Sequence, residues 1–211
     1  MFTTIVADPA WQYRDKLRMS AVARSAMDQY KHTMTLDQIA AMATCEPDHP
    51  VHRSISKAKD LRIAGYRIAD PAVLFLWITN PFLLSGAGAS TCMAWGFEPK
   101  QLISWIKGEI RLIELEDTSI GAAIIGPPGM GHYTRGDTEH MILATRGKAK
   151  QLVKARNVRN WFVAPKSEHS EKPEASYLLV ERLVPGPYLE LFARRRRAGW
   201  THHGDELPVE N

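Results

Sequence analysis

Apolar runs separated by glycine, proline and polar residues predict a chain that alternates between strands and helices. Residues Phe2–Ala7 are a short β-branched run that stops at Asp8-Pro9, as expected of a buried strand that ends abruptly in a loop. The same reasoning predicts further strands at residues 73–79, 102–107, 139–145, 161–164 and 188–193. A polar segment then begins at Trp200.

Three segments between these strands have helical features. Thr35-Leu36-Asp37-Gln38 has capping-box spacing ahead of apolar positions that continue to residue 43. Residues 81–95 can form a second helix, although it contains two glycines, and residues 173–184 a third with proline in its first turn. Because strands alternate with helices, the pattern predicts a three-layer α/β fold with a mostly parallel central sheet.

Two segments depart from this alternation within a predicted single domain, residues 1–211. Residues 44–70 contain prolines, charged pairs and little periodicity, which is typical of a surface insertion. Residues 108–136 are rich in glycine and proline and lie between two strand candidates. Long loops of this kind are usually functional, so we expect this one beside the active site.

Composition adds a cellular context to the predicted fold. The chain is 45% hydrophobic and 24% charged with a net charge of +4, which permits a polyanionic partner without requiring one. Two cysteines without CxxC spacing, and no long apolar run, indicate a reducing, cytoplasmic location. Cys45, His49 and His52 do not complete a four-ligand zinc site, so we expect no metal.

The best candidate for chemistry is the tetrapeptide Asp8-Pro9-Ala10-Trp11, which directly follows the first strand. Ligands of open α/β sheets bind at the carboxyl ends of strands, so the motif places a carboxylate and an indole where a ligand is expected. The spacing alone is equally compatible with a plain turn and a partly buried tryptophan.

Further blocks, in a fixed order, favour the functional interpretation. They are residues 74–80 (LFLWITN), 95–97 (WGF), 105–107 (WIK), 131–133 (GHY), 139–140 (EH), 172–173 (KP), 181–183 (ERL), 190–192 (ELF), Arg194 and 200–204 (WTHHG). In the tetrapeptide and these blocks, the chain resembles the MT-A70 family of S-adenosylmethionine-dependent adenine-N6 methyltransferases, whose hallmark is Asp-Pro-Pro-Trp after a strand. Ala10 stands where that hallmark has its second proline.

The resemblance implies a Rossmann-like class I methyltransferase fold with a circularly permuted motif order, in which the catalytic strand comes first. It implies methyl transfer from S-adenosylmethionine to the N6 amine of adenine in nucleic acid, leaving S-adenosylhomocysteine. The Asp8 carboxylate and the Pro9 carbonyl would accept the two N6 hydrogens and align the nitrogen with the methyl group, while Trp11 stacks on the adenine. Ala10 keeps a backbone carbonyl but lacks the fixed φ of proline, so we expect a less preorganised loop.

The resemblance also implies the binding residues. Lys172 is expected near the carboxylate of the cofactor. With Asp8, the other cofactor-site residues are Glu190, Leu191, Phe192, Arg194, Gly204, Asp205 and Glu206, although Asp205 stands where the family usually has an amide. Contacts to the target base and the nucleic acid are expected from Tyr30, Met34, Lys107, His132, Tyr133, Arg195, Arg196 and Arg197. The run of four arginines is equally compatible with a solvated face.

Substrate and partner keep alternatives at this stage. A short chain without flanking RNA-binding segments resembles the compact DNA-modifying members of bacteria and phages, so DNA is preferred over RNA. Two other function classes are a non-catalytic subunit that binds nucleic acid or an active partner, and a methyltransferase for a small molecule or free nucleotide. The family often pairs, so a homodimer or a partner subunit is a further alternative.

Overall fold

The computed structural model describes residues 1–12, 33–45, 55–116, 119–126, 133–166 and 171–207. Its strands are β1 (Phe2–Ala7), β2 (Ala43–Thr44), β3 (Arg62–Ile63), β4 (Tyr66–Ile78), β5 (Glu98–Lys107), β6 (Glu109–Glu114), β7 (Ile120–Ile125), β8 (Thr138–Arg146), β9 (Trp161–Ala164), β10 (Tyr188–Leu191) and β11 (Trp200–His203). Its α-helices are α1 (Leu36–Ala40), α2 (Asn80–Leu84), α3 (Ala87–Ala94) and α4 (Glu174–Leu183), and 3₁₀ turns occur at Ile55–Lys57 and Ala149–Leu152.

The central sheet has the strand order β11-β10-β1-β4-β8-β5-β9. β1 pairs in parallel with β4 and β10, β10 with β11, and β5 with β9, whereas β8 is antiparallel to both of its neighbours. The short strands β2 and β3 extend this sheet beside the start of β4. The predicted Rossmann-like α/β fold with a mostly parallel sheet is therefore confirmed, with β1 near the middle of the sheet.

Both faces of the sheet are covered, which gives the fold three layers. Along β1, Ile5 and Ala7 belong to a core that contains Trp95, at the end of α3. Val6 belongs to the opposite core, which contains Tyr177 of α4. Successive side chains of a strand point to opposite faces, so a strand buried on both faces needs an unbroken apolar run, as β1 has.

Several elements have the predicted bounds or caps, and one predicted helix is divided. β1 and β9 match their predicted residues. Thr35 caps α1 with the predicted box: its side chain accepts the Gln38 N–H at 3.2 Å, and the Gln38 side chain accepts the Thr35 N–H at 2.8 Å. The helix predicted at 81–95 is two helices, because Gly86 between α2 and α3 has a φ of 78°, which glycine tolerates and a continuous helix cannot contain.

Three segments differ from their prediction. Residues 66–70 belong to β4, so only part of the predicted insertion at 44–70 lies outside the central sheet. The predicted loop at 108–136 contains the hairpin β6–β7, which forms a separate two-stranded sheet. The polar segment at Trp200 is the edge strand β11. A search for apolar runs does not find an edge strand with polar residues, because such a strand is only partly covered by the rest of the protein.

Candidate active site

The carboxyl ends of the parallel strands β1, β10 and β11 meet at one edge of the sheet, and Asp8 is the first residue beyond β1 at that edge. Its N–H donates to the Leu191 carbonyl at 3.4 Å, which continues the pairing of β1 with β10. The backbone of Asp8 therefore has a fixed position at the edge where ligands of α/β sheets bind.

The loop after Asp8 is held by backbone hydrogen bonds. The Trp11 N–H donates to the Pro9 carbonyl at 2.8 Å, and the Met34 N–H donates to the Ala10 carbonyl at 2.9 Å. A carbonyl oxygen has two lone pairs, so the Pro9 oxygen keeps one for a further donor. Ala10 thus has a defined place in the loop even without the ring of a proline.

The Trp11 side chain anchors the same loop to the fold. Its indole N–H donates to the Trp77 carbonyl at 3.2 Å, and its ring stacks on Phe82 with the centroids 5.2 Å apart. Only 4% of the residue is exposed. Trp11 therefore fixes the loop to β4 and α2 in this structure, and its stacking on an adenine stays a prediction.

Four side chains of alternating charge form a continuous series of ion pairs at this edge. Lys172 Nζ lies 3.0 Å from Asp8 Oδ2 and 2.7 Å from Glu139 Oε1. Lys107 Nζ lies 3.0 Å from Glu139 Oε2. Lys172 and Glu139 are buried, and the Lys172 ammonium also lies 5.0 Å from the Trp77 ring centroid. Such contacts are much less screened than surface pairs, so they fix these groups relative to one another.

The two carboxylates that share Lys172 differ in protonation. Burial raises the pKa of Asp8 above its ordinary value, and the Lys172 ammonium offsets this only in part. Burial also acts to raise the pKa of Glu139, but Lys172 and Lys107 outweigh it and hold that pKa below its ordinary value. Glu139 is therefore the firmly charged member of the pair, whereas Asp8 accepts a proton more readily.

A cavity of about 210 Å³ opens beside Asp8, at the carboxyl ends of β1, β10 and β11. Its lining residues are Asp8, Ala10, Met34, Met42, Phe192, Ala193, Arg194, His203, Gly204, Asp205 and Glu206. Apart from Met42, Ala193 and His203, all of them are predicted site residues. The lining combines an aromatic ring, apolar side chains, carboxylates and a guanidinium that lies 3.3 Å from Glu206, which suits a ligand with apolar and polar parts.

The wall between β10 and β11 has an unusually tight backbone. Phe192 has a φ of 64°, a left-handed conformation that is uncommon outside glycine. The Ala193 N–H donates to the His203 carbonyl at 3.0 Å. Gly204 then passes so close to Ala193 that a Cβ would overlap the Ala193 carbonyl oxygen and lie 2.6 Å from its amide nitrogen.

We expect Gly204→Ala to destabilise the protein by about 2 kcal/mol, because the backbone of residues 192–193 would have to move. Thermal unfolding measures the effect, and cofactor binding should weaken in parallel. Gly136→Ala is the matched control, since a Cβ there meets no atom within 4 Å. Equal unfolding temperatures for the two variants would contradict the close-packing argument.

Glu190 and Leu191 lie behind the cavity wall. Leu191 is fully buried in the core, so it reaches the site only through its carbonyl. Glu190 Oε1 accepts the Tyr177 O–H at 2.6 Å, whereas the buried Oε2 has no hydrogen-bond partner among the described residues. His202 Nε2 is 3.8 Å from Oε2 and already accepts the Arg197 N–H.

Glu190 should make stability depend on pH. Burial, helped by the negative charge of Asp8, raises the pKa of Glu190 from 4.5 to about 7. The folded chain thus binds the extra proton between these values, so stability should fall by up to about 3 kcal/mol as pH rises through that window. Unfolding measured between pH 5 and about 8 checks this. Glu190→Gln should flatten the profile, and an unchanged profile would contradict the assignment.

Comparison with known proteins adds the family. The MT-A70 family model matches residues 52–206, which include Glu139, Lys172 and the cavity wall between β10 and β11. The chain belongs to the MT-A70 family. Family membership supports an adenine-N6 methyltransferase, and methyltransferases of this family are generally dependent on S-adenosylmethionine.

Several relatives extend the match. The Type II methyltransferase M.MunI of a Mycoplasma species is 26% identical over 210 residues, 98% of this chain and 78% of that protein. The N6-methyladenosine RNA methyltransferase MTA1 of Cryphonectria parasitica is 27% identical over 214 residues, 98% of this chain and 52% of that protein. The human N(6)-adenosine-methyltransferase catalytic subunit is 27% identical over 143 residues, 66% of this chain and 22% of that protein. This MT-A70 protein thus spans most of the Mycoplasma relative but only about half or a fifth of the other two.

In this MT-A70 protein, Arg195 is not part of an open basic patch. Its guanidinium nitrogens lie 2.9 Å from Glu171 and 3.2 Å from Glu174, on either side of Lys172 in the sequence. The guanidinium carbon also lies 5.1 Å from the ring centroid of Tyr177, as in a cation–π contact. Arg195 therefore ties the segment after β10 to the start of α4.

Arg197 makes a second tie to α4. Two of its nitrogens each lie 3.1 Å from an oxygen of Glu181, and a third contacts Glu174. The Trp200 indole N–H donates to Glu181 at 2.8 Å. These contacts hold residues 194–200 against α4, and a contact of Arg195 and Arg197 with nucleic acid stays a prediction. Arg196 is exposed, and its contact with nucleic acid stays a prediction.

The other substrate-site predictions fall into three groups. Met34 lines the cavity, and Lys107 ends the series of ion pairs. Tyr133 is 100% exposed, so the structure does not bring it to the cavity. Tyr30 and His132 lie outside the described residues.

Glu139 is the main site residue that the sequence-based assignment omits. It lies in one of the matching blocks, but no role is predicted for it there. A glutamate within an apolar strand pattern carries a signal of its own, because a buried carboxylate needs a cationic partner. Met42 and His203, which line the cavity, have no such signal in the sequence.

Two further searches concern metals and membranes. Within the described residues, no group of three or more His, Cys, Asp and Glu side chains could hold a metal ion. His49 and His52 lie outside them. No helix in the described part of the chain is long and apolar enough to cross a membrane.

Proposed function

We propose that this MT-A70 protein transfers a methyl group from S-adenosylmethionine to the N6 amine of adenine in nucleic acid, with DNA preferred over RNA. The observation that carries the proposal is the position of Asp8, which lines the cavity and is held by Lys172 at 3.0 Å. The Mycoplasma relative, named a type II methyltransferase, aligns with 98% of this chain at 26% identity and supports DNA as the polymer.

The residues around the cavity fit S-adenosylmethionine. Lys172 is not a lining residue, but its buried ammonium lies 3.0 Å from Asp8, which is one, and would provide a positive charge for the cofactor carboxylate. Asp205 and Glu206 provide oxygens that accept hydrogen bonds from ribose hydroxyls, and Phe192 provides an aromatic surface. Arg194 lies at the same wall, where Glu206 fixes its guanidinium. When bound, the cofactor supplies an electrophilic methyl group on a sulfonium.

Asp8 and Pro9 prepare the amine for this methyl group. The exocyclic nitrogen is a weak nucleophile because its lone pair is delocalised into the ring. Hydrogen bonds from N6 to the Asp8 carboxylate and the Pro9 carbonyl hold the nitrogen and localise that pair. As the N–C bond formed, the methyl–sulfur bond would break and S-adenosylhomocysteine would leave. The positive charge that develops on N6 would be relieved when its proton passes to Asp8. The pKa of Asp8, raised by burial, favours this transfer.

The function is tested by incubating purified protein with methyl-labelled S-adenosylmethionine and, separately, single-stranded DNA, duplex DNA and RNA. Nucleosides are then identified by mass spectrometry. N6-methyladenine in DNA supports the proposal, and modification of RNA alone would replace DNA with RNA as the substrate. Labelled free nucleotides without labelled polymer would indicate a small-molecule methyltransferase instead.

The hairpin β6–β7 favours a second candidate, a subunit that works with a second copy or another partner. Cross-strand register puts Ile110, Leu112, Ile120 and Ile124 on one hairpin face, and Leu112 and Ile120 are 76% and 75% exposed. Exposed apolar patches of this kind mark contact surfaces. Cofactor binding without methyl transfer to any polymer, together with a dimer in solution or transfer restored by a partner, would favour this candidate.

A further inference from the structure

The segment between β8 and α4 concentrates positive charge. Residues 147–166 contain six of the 27 lysines and arginines and none of the 23 aspartates and glutamates, which leaves 21 basic and 23 acidic residues in the rest of the chain. The six are Lys148, Lys150, Lys154, Arg156, Arg159 and Lys166, here called the basic strip. Positive and negative side chains are ordinarily interspersed on protein surfaces. A segment of twenty residues whose charged side chains are all basic therefore creates a local positive field.

The basic strip is exposed and forms no ion pair with a carboxylate of the described structure, although the charge of Lys154 helps to lower the pKa of Glu181. All six residues are exposed. Among the described residues, no carboxylate lies within ion-pair distance of any of them. Arg195 and Arg197 differ from the basic strip in this respect, because glutamates before and within α4 form ion pairs with both guanidinium groups.

The part of the basic strip from Lys154 to Lys166 runs from the end of α4 toward the catalytic edge. At its far end, the Lys154 N–H donates to the Leu183 carbonyl and its ammonium to the Glu181 carbonyl at 2.8 Å, so Lys154 lies at the end of α4. At its near end, Lys166 follows β9, whose last residue Ala164 pairs with Lys107.

The length of the basic strip matches a nucleic-acid strand. α4 runs ten residues between Lys172, at the catalytic edge, and the end where Lys154 is attached. Ten helical residues span about 15 Å, the axial length of about four phosphates of one strand. The Arg182 guanidinium, 3.3 Å from Asn157 Oδ1, adds a positive charge beside Arg156.

An exposed aromatic ring lies in the same segment of sequence, but on the face of the sheet opposite α4. Trp161 opens the edge strand β9 and is 44% exposed. It pairs with Ser104, which in turn pairs with His140, so the three side chains lie on one face of the sheet. His140 is adjacent to Glu139 of the ion-pair series. Phe162 and Ala164 alternate with Trp161 along β9 and pack in the core that contains Tyr177 of α4, so Trp161 is not part of the surface that the basic strip forms beside α4.

We propose that the basic strip binds the phosphate backbone of the nucleic acid beside the target adenine. This inference rests on the proposed function, because it assumes a polymer whose adenine reaches Asp8. In this proposal the basic strip, and not Arg195 and Arg197, makes the principal cationic contacts with the nucleic acid.

The test compares wild type, the double variant Arg156→Gln/Arg159→Gln and the control Arg62→Gln. Arg62 is an exposed arginine that lies 3.3 Å from Asp60, away from the basic strip. Binding to fluorescein-labelled single-stranded and duplex DNA is measured by anisotropy between about 50 and 200 mM salt, the range over which phosphate contacts lose affinity. Cofactor binding and methyl transfer at saturating DNA are measured for the same three proteins.

We expect the double variant to bind DNA roughly tenfold more weakly at low salt, with a slope of log affinity against log salt smaller by about 2. Its KM for DNA should rise, while cofactor affinity and turnover at saturating DNA stay at the wild-type level. The control should behave as wild type.

Three results would overturn the inference. Wild-type DNA affinity and salt slope in the double variant, with active wild-type enzyme, would reject the basic strip and leave the proposed function intact. Loss of binding to polyglutamate with DNA binding unchanged would assign the basic strip to an acidic protein. Wild-type protein that neither binds nor methylates any polymer would reject the proposed function itself, and the inference with it.

Discussion

Asp8→Asn should lower methyl transfer at least about 100-fold while leaving the protein folded and able to bind its cofactor. The asparagine keeps the shape of the side chain but removes the negative charge that would stabilise the developing charge on N6. The loop should stay in place, because the Asp8 N–H still donates to Leu191 and Trp11 still anchors the backbone. Single-turnover transfer to DNA, with cofactor affinity measured separately, gives the two quantities.

Asp37→Asn is the matched control for this substitution. Asp37 is an exposed aspartate in the first turn of α1, so its replacement changes the charge of the chain equally without touching the site. We expect full activity from the control. Asp8→Asn protein with unchanged transfer and a normal unfolding temperature would remove Asp8 from the mechanism.

Lys172→Met should weaken cofactor binding and also destabilise the protein by about 3 kcal/mol. The variant leaves Asp8 without its nearest cation, while Glu139 keeps only Lys107. The folded-state pKa of Asp8 should rise further. The added destabilisation should therefore be largest at neutral pH and shrink as pH falls through that raised pKa, because the protonated carboxyl needs no counter-ion.

Thermal unfolding at several pH values and calorimetric cofactor binding check this prediction. Lys100→Met is the control, since Lys100 is an exposed lysine that pairs with the exposed Glu98 at the start of β5. A Lys172→Met protein with wild-type cofactor affinity would contradict the role of Lys172 toward the cofactor. A pH-independent loss of stability would contradict the electrostatic origin of the effect.

The strands that the sequence predicts are those whose own residues indicate that they are buried. β1 and β9 are short apolar runs bounded by turn residues, and their predicted ends match the structure. β11 was not predicted because its residues Trp-Thr-His-His become a strand only by pairing with β10 at the edge of the sheet. The hairpin β6–β7 pairs only with itself, outside the main sheet, so glycine and proline around it dominate the pattern.

The candidate site shows the same limit. Asp8 and Lys172 belong to motifs that can be recognised in the sequence. In the structure Lys172 Nζ lies 3.0 Å from Asp8 Oδ2. Glu139 joins them because β8 runs antiparallel, so its first residues reach the edge where the parallel strands end. Pairing of Arg195 with Glu171 likewise depends on how α4 packs. Strand direction and helix packing are properties of the whole fold, and no short stretch of sequence encodes them.

The pairing of β1 with β10 has a consequence for synthesis on the ribosome. The Thr3 hydroxyl donates to the Pro185 carbonyl across 182 residues of sequence, and β1 gains β10 as a neighbour only when that distant segment has been translated. Until then one edge of an apolar strand is open, which invites wrong pairing and favours chaperone protection during elongation. The same delay keeps the nascent chain inert, since Asp8 has neither Lys172 nor the wall from β10 and β11 until the late segments emerge.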